Sequence, residues 1–324
     1  MSAAGKLFAK ISRSEFLLPN LGSLIMGLAW GATPPVDPVR GIFSVALSFL
    51  IINLSSIVGA QANTLYDYNL DLKDERKKEL VQALDSFGHK KVRNIMIFEI
   101  FLTLVLVSAL ALYIQEPILL ALWAVGISLG VAFSAPPLRL KARFWVGPIC
   151  QMLVLAVFPV LFAYYAFTSE VNAYFLVSLV GLSLTVYGVI VPTEIRDYFG
   201  DKAMNIQTLT VRIGLSRASL MGIVLLGVGA ALTSIALFLE WVSNQLSVLG
   251  VFVLAIPVVV LFVLSKFWKL YGLTREFDDA NGQDRLALEG KITDLSSENP
   301  KWIMLVTQTY MILSIMLLLT KFFL

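Results

Sequence analysis

Long apolar runs separated by short polar stretches recur from about residue 15 to the end of the chain. Nine of them are long enough to predict membrane-spanning helices, at about 15–31, 41–66, 94–114, 117–135, 144–167, 171–192, 216–240, 246–268 and 303–323. The first is short and interrupted by Pro19 and several glycines. The apolar run after Lys6, Lys10 and Arg13 continues into a full span, so no cleavable signal peptide is expected. The polar stretches between runs also alternate in length. Those at roughly 32–40, 115–116, 168–170 and 241–245 are short, and those on the opposite side are long enough to carry structure.

Composition agrees with this pattern. The chain has 324 residues, 58% of them hydrophobic and 15% charged, with a mean hydropathy of +0.81, far from a soluble domain. The expected fold is all-α, a polytopic membrane protein of about nine transmembrane helices around a central cavity. Residues 1–324 are expected to form a single domain, with a two-part internal duplication permitted by the spacing of two acidic stretches near 63–71 and 194–201. The single cysteine, Cys150, excludes an internal disulfide framework, and the single histidine, His89, argues against a His-ligated metal or a His-based triad. Metal chemistry in this chain is therefore expected to use oxygen ligands.

Charge then orients the predicted bundle. All but two of the 25 Lys and Arg residues fall on one side of the spans. They are Lys6, Lys10 and Arg13 at the N-terminus; Lys73, Arg76, Lys77, Lys78, Lys90, Lys91 and Arg93 after the second span; Arg139, Lys141 and Arg143 after the fourth; Arg196, Lys202, Arg212 and Arg217 after the sixth; and Lys266, Lys269, Arg275, Arg285, Lys291 and Lys301 after the eighth. Only Arg40 and Lys321 lie opposite. Positive residues stay cytoplasmic, so an integral cell-membrane protein is expected, with its N-terminus and long loops in the cytoplasm and its C-terminus on the far side.

The two acidic stretches lie on this same cytoplasmic side, after spans that run in the same direction. In the first, Asn63, Asp67 and Asp71 recur every four residues; in the second, Glu194, Asp197 and Asp201 recur at helical spacing. On a helix such spacing stacks the oxygens on one face. One carboxylate at a helix end reads as a solvated end or a salt-bridge partner. Two clusters at the ends of apolar helices need a cation, and hard oxygen donors suit Mg²⁺ bridging a diphosphate. Two Mg²⁺ ions are expected, one for each cluster. Between the clusters, Pro136 and Pro137 end the fourth span and project Arg139, Lys141 and Arg143, cations suited to phosphate oxygens or to anchoring at the membrane surface. Tyr66, Tyr68, Tyr187 and Tyr198 flank the acidic residues and could stabilise a cation or anchor at the interface.

Three stretches carry a resemblance to a known family. Asn63-x₃-Asp67-x₃-Asp71 is similar to the first Asp-rich motif of the UbiA superfamily of intramembrane prenyltransferases. Asp197-x₃-Asp201, continuing to Thr208-Leu-Thr-Val-Arg212-Ile-Gly214, resembles the second motif and its follow-on, and Ser134-Ala-Pro-Pro-Leu-Arg139-Leu-Lys141 resembles the family's Pro-Pro loop. Phe133, where many members have Tyr, and Asn205, where a Gly is frequent, depart from the pattern. The resemblance implies transfer of an isoprenyl group, such as geranylgeranyl or farnesyl, from its diphosphate to a lipophilic acceptor. That acceptor would be a quinone precursor or a glyceryl phosphate ether lipid precursor. It implies catalytic Asp67, Asp71, Asp197 and Asp201, with Asn63 joining them as metal-site residues, and substrate contacts from Asn63, Arg139, Lys141, Tyr198 and Arg212. Helical spacing adds Glu194.

The rival readings are weaker. A cation-coupled transporter usually places its carboxylates near the membrane midplane, whereas these cluster at one face. The run Asp-x₂-Asp-Gly-x₂-Ala-Arg of CDP-alcohol phosphotransferases is missing. A scaffold would leave the paired acidic clusters unexplained. The expected partners are an isoprenyl diphosphate, its acceptor and membrane lipid, with no nucleic acid.

Overall fold

A computed structural model describes residues 3–14, 17–34, 36–74, 77–244, 253 and 255–323. Arg76 and the first residues of the expected 246–268 span lie outside the described residues. All regular elements described are helical. They are α1 (Ala3–Ile11), α2 (Leu17–Gly31), α3 (Pro38–Tyr66), α4 (Tyr68–Asp71), α5 (Lys78–Phe87), α6 (His89–Ile114), α7 (Ile118–Ser134), α8 (Val146–Met152), α9 (Phe158–Tyr165), α10 (Ala173–Ala203), α11 (Leu209–Ile213), α12 (Leu215–Asn244), α13 (Ala255–Asp279), α14 (Gly282–Ser297) and α15 (Asn299–Phe323). A π-helical turn, Leu153–Val157, joins α8 to α9.

Each of the nine expected spans corresponds to a helix, but their lengths differ. Among the described residues, seven are long and apolar enough to cross a membrane, with the last counted as the run Gly282–Phe322. The other two, α2 and α7, have 15 and 17 residues. The chain is an integral membrane protein of all-α architecture.

The chain divides into two compact units, Met1–Lys141 with Phe158–Ser169, and Ala142–Val157 with Glu170–Leu324. In the first unit, Asp37 starts α3 by accepting from the Arg40 amide at 2.7 Å, and Pro38 fills the first turn where no amide is needed. Leu24, Ile51, Val107, Leu110, Leu119 and Phe162 form the core among α2, α3, α6, α7 and α9. Helices α2 and α9 touch backbone to backbone at Gly27, where a Cβ would lie 2.6 Å from the Ala163 Cβ and 2.9 Å from the Tyr164 nitrogen. The amphipathic α1 lies against α3 and α5. Ile11 packs on Leu84 and Val92, the Thr64 hydroxyl donates to the Ile11 carbonyl at 3.2 Å, and Lys10 pairs with Glu79.

In the second unit, α10 and α12 cross at Gly181 and Gly229. A Cβ on Gly229 would come within 2.6 Å of the Thr185 nitrogen, so only glycine admits this approach. Asn172 caps α10 by accepting from the Tyr174 and Phe175 amides at 2.8 and 3.1 Å. Tyr187, Val191, Ile195, Tyr198, Leu270, Phe277 and Ile292 form the core beneath the second acidic stretch.

Four local features refine the expected picture. The polar run 280–300, which lies between the expected spans 246–268 and 303–323, forms α14, because Ile292 and Leu295 supply a narrow apolar edge that packs onto this core. His89, Lys90, Lys91 and Arg93 are helical, since α6 begins five residues before the apolar run. The span expected to close near 192 belongs to a longer helix, α10, which carries on through Glu194, Asp197 and Asp201 as their spacing predicts. Tyr187 is neither a cation-facing ring nor an interfacial anchor: it is 1% exposed in the core.

Candidate active site

The first acidic stretch straddles a helix break. Helix α3 ends at Tyr66 and α4 starts at Tyr68, with Asp67 (φ −95°, ψ 0°) between them. The hydrogen-bond register survives the break: the Asp67 amide donates to the Asn63 carbonyl at 3.0 Å and the Asp71 amide to the Asp67 carbonyl at 2.9 Å. Asn63, Asp67 and Asp71 therefore share one face, as their spacing predicts.

Both carboxylates are buried, Asp67 at 4% exposure and Asp71 at 3%. Burial of two anions requires compensation, and three cations supply it. Lys141 bonds Asp67 Oδ2, Arg139 Nη2 lies 3.3 Å from Asp67 Oδ1, and Lys77 Nζ lies 2.7 Å from Asp71 Oδ1. Burial holds the Lys141 ammonium below the usual lysine range, while the Asp67 charge beside it opposes that shift. Asn63 Oδ1 accepts from the Ser134 hydroxyl at 2.9 Å. The Pro-Pro turn brings in Arg139 and Lys141, while Lys77 comes from the start of α5. Helix α7 stops at Ser134, Pro136-Pro137 follows, and Arg139 turns back with a left-handed φ of +39°. Arg139 Nε is buried with no partner among the described residues, a spare donor beside the carboxylates.

The second stretch lies on the last turns of α10. Glu194 accepts from Thr210 Oγ1 at 2.8 Å and from the Tyr187 hydroxyl at 3.2 Å. Asp197 is held by its neighbour Arg196, with Nε at 3.0 Å and Nη2 at 3.4 Å. Asp201 stands one turn further on, partly buried, its carbonyl accepting from the Ile206 amide at 2.9 Å. The Tyr198 hydroxyl accepts from Lys202 Nζ at 3.2 Å, and that ammonium also lies over the Tyr198 ring at 5.4 Å. Arg212 is exposed and stacks on the Phe144 ring at 5.2 Å. The Thr208-to-Gly214 follow-on is one short capped helix: Thr208 receives the Val211 amide at 3.4 Å, and Gly214 ends it at φ +88°.

Within the first unit, the structure thus gathers Asn63, Asp67, Asp71, Arg139 and Lys141. In the second, Glu194, Asp197, Tyr198 and Asp201 share the end of α10, Glu194 tied to hydroxyls and Arg212 set apart on Phe144. Four contributors escape a reading of the sequence. Lys77 was one of many positive loop residues. Ser134 and Thr210 act through hydroxyls that carry no spacing signal. Asn299, fully buried, donates to the Val189 carbonyl at 2.8 Å and Thr193 Oγ1 at 2.7 Å. These two acceptors flank Pro192, which interrupts the backbone ladder of α10 just before Glu194. Among the described residues, no group of three or more His, Cys, Asp or Glu side chains converges as a ready metal cage. The donors that face cations here are hard oxygens, the type Mg²⁺ takes together with water and phosphate.

Comparison with known proteins decides the family. The profile of the UbiA prenyltransferase family matches residues 20–277. The chain belongs to the UbiA prenyltransferase family. It is a UbiA-type prenyltransferase, and its fold is that of solved UbiA proteins. A UbiA homologue from Archaeoglobus fulgidus bound to GPP and Mg²⁺ superposes with a TM-score of 0.58 at 20% identity, covering 93% of this chain and 99% of that one. A digeranylgeranylglyceryl phosphate synthase aligns with a TM-score of 0.61 at 14% identity, covering 97% and 99%. An apo UbiA homologue from Aeropyrum pernix K1 aligns with a TM-score of 0.61 at 11% identity, covering 92% and 98%. A search of curated proteins found no significant match.

One departure from the UbiA pattern now has a physical explanation. Asn205 has φ +57°, a left-handed conformation that glycine adopts freely and asparagine tolerates best among the other residues. It therefore keeps the turn that the usual glycine makes. Phe133 brings no hydroxyl to the Pro-Pro turn; the hydroxyl beside it there is that of Ser134, on Asn63 Oδ1 at 2.9 Å.

Proposed function

We propose that this UbiA enzyme transfers an isoprenyl group from its diphosphate to a lipophilic acceptor, with Asp67, Asp71, Asp197 and Asp201 as catalytic residues. The observation that carries the reading is the buried, cation-compensated pair Asp67 and Asp71. Carboxylates held from water by several cations at the end of an apolar helix mark a functional-site candidate. Of the solved relatives, one is bound to GPP and Mg²⁺ and another to DMAPP and Mg²⁺, which supports the same donor class and a divalent metal here.

In this reading Asn63, Asp67, Asp71, Asp197 and Asp201 supply oxygen ligands to Mg²⁺, two ions in all. Bound Mg²⁺ would neutralise the diphosphate as it leaves. The chain's own cations do the rest. Arg139, Lys141 and Lys77 sit on the carboxylates, within reach of phosphate oxygens that arrive beside them. As those oxygens arrive, the cations shift their hydrogen bonds to the diphosphate and release Asp67 and Asp71. The allylic C–O bond breaks and its electron pair leaves with the diphosphate. A nucleophilic atom of the acceptor forms the new bond to that carbon and loses its proton. Glu194, held by Tyr187 and Thr210, together with Tyr198 and Arg212, completes the proposed substrate contacts. The acceptor is a quinone precursor or a glyceryl phosphate ether lipid precursor; the basic Pro-Pro turn suits an anionic head group. The catalytic side is cytoplasmic, in keeping with the positive residues.

Purified protein should consume labelled geranylgeranyl or farnesyl diphosphate in the presence of Mg²⁺ and one acceptor of a panel, and EDTA should abolish turnover. Asp67→Ala and Asp197→Ala should each lower turnover by about 10²–10³-fold with folded protein retained, Asp67→Ala at a lowered unfolding temperature because it leaves Lys141 without its buried partner. Full activity in both variants, or ion flux in proteoliposomes without prenyl turnover, would sink the assignment.

A further inference from the structure

A groove of about 450 Å³ opens on the surface of the first unit, and no residue of the acidic stretches lines it. Lys90, Lys91, Asn94, Ile95 and Phe98 line it, all from the first three turns of α6. No acidic residue stands in the first turn of this helix, and no side chain caps it. Asp85 answers His89 at 3.2 Å, but among the described residues neither Lys90 nor Lys91 pairs with a carboxylate, so the groove gathers positive charge at a positive helix end that an anion would stabilise.

The apolar part of the groove does not stop at Phe98. Positions 91, 94, 98, 101 and 105 fall on one face of α6, and all are exposed. Phe98 is 61% exposed, Phe101 63% and Val105 49%. Two ammonium groups and an amide thus sit at one end of a stripe that is apolar and lipid-facing from there on. That is the polarity profile of a phospholipid: a phosphate head, then an acyl chain running into the membrane. Lys91 also stacks over the Phe87 ring at 4.5 Å, which holds its ammonium at the groove rim.

We propose that this groove is a binding site for an anionic membrane phospholipid, its phosphate on Lys90, Lys91 and Asn94 and one acyl chain along Ile95, Phe98 and Phe101. Charge complementarity selects an anionic head over a zwitterionic one. The site lies outside the catalytic residues, so its occupancy adds a lipid-composition dependence to the enzyme without changing its chemistry.

The test uses the full-length protein in detergent, with phosphatidylglycerol and phosphatidylcholine of matched chains as probes and native mass spectrometry as the readout. The wild-type protein should retain one phosphatidylglycerol in preference to phosphatidylcholine by about tenfold or more. Lys90→Gln with Lys91→Gln should weaken that retention by about 30-fold. Lys266→Gln with Lys269→Gln, which removes the same charge from α13, should leave it unchanged. Phe98→Ala should weaken binding of long-chain lipid more than that of a short-chain analogue. Equal retention of the two lipids, or unchanged retention in the Lys90/Lys91 variant, would overturn the site. Loss of the same size in the α13 variant would reduce it to non-specific charge attraction, and stoichiometric displacement by a prenyl diphosphate would make it a substrate site instead.

Discussion

At the scale of single residues, burial of charge separates functional carboxylates from ordinary ones. Asp67 and Asp71 are almost inaccessible, and each has a cation within bonding distance. Lys77 is the residue whose part in this was least visible: it was one basic position among seven in its loop, and only tertiary contact selects it. Lys77→Met should raise the KM for the prenyl diphosphate by about tenfold. It should lower stability by about 1–3 kcal/mol, below the figure for a fully buried pair because Lys77 is 34% exposed. Steady-state kinetics and thermal unfolding in detergent check the two effects separately. Asn205 offers a second residue-level test. At φ +57°, Asn205→Gly should be neutral or stabilising by up to about 1 kcal/mol, whereas Asn205→Val should destabilise by about 1–2 kcal/mol because a branched Cβ is strained there. Equal unfolding temperatures for the two variants would contradict this account.

At the scale of elements, the two acidic stretches are displayed in different ways. The first uses a break between α3 and α4, with the amide-to-carbonyl register carried through it. The second uses an unbroken α10 whose ladder is interrupted by Pro192 and bridged from outside by Asn299. Apolar length alone placed both stretches after the spans, because charged residues end a hydropathy window whether or not the helix ends there. The follow-on, Thr208 to Gly214, was legible as a motif, though its capping threonine and terminal glycine were not read as a helix. The α14 helix was not legible, because its apolar edge is narrow and acquires meaning only against Phe277 and Tyr198. Asn299→Ala removes both hydrogen bonds from α15 to the proline region and should cost about 1–3 kcal/mol, read as a drop in unfolding temperature. Asn299→Asp, which keeps the shape but loses the donor, should behave like the alanine variant and not like the wild type.

At the scale of the molecule, the expected arrangement has an experimental signature. With Cys150 replaced by alanine, a cysteine placed at Lys291 should react with a membrane-impermeant maleimide only from the cytoplasmic side, and one placed at Lys321 only from the other side. Labelling in the opposite sense would reverse the orientation read from the positive residues, and labelling of both from one side would remove the span between them. Residues 1–324 are proposed to work as one prenyltransferase domain with the two acidic motifs as its paired halves, one motif in each compact unit.

Taken by itself, the sequence determined the helical class, the membrane location, the approximate spans and the identity of the acidic clusters. Hydropathy and i, i+4 spacing are properties of consecutive residues, and they need no tertiary contact to be read. The same holds for the family, whose motifs are local. Only the tertiary structure decided which cations answer which carboxylates, that Glu194 is bound by Tyr187 and Thr210, and that Asn299 spans Pro192. Most of those pairings join residues far apart in the chain, up to 110 positions, where spacing carries no signal; Tyr187 and Glu194, seven apart on α10, are the exception that helical spacing does favour.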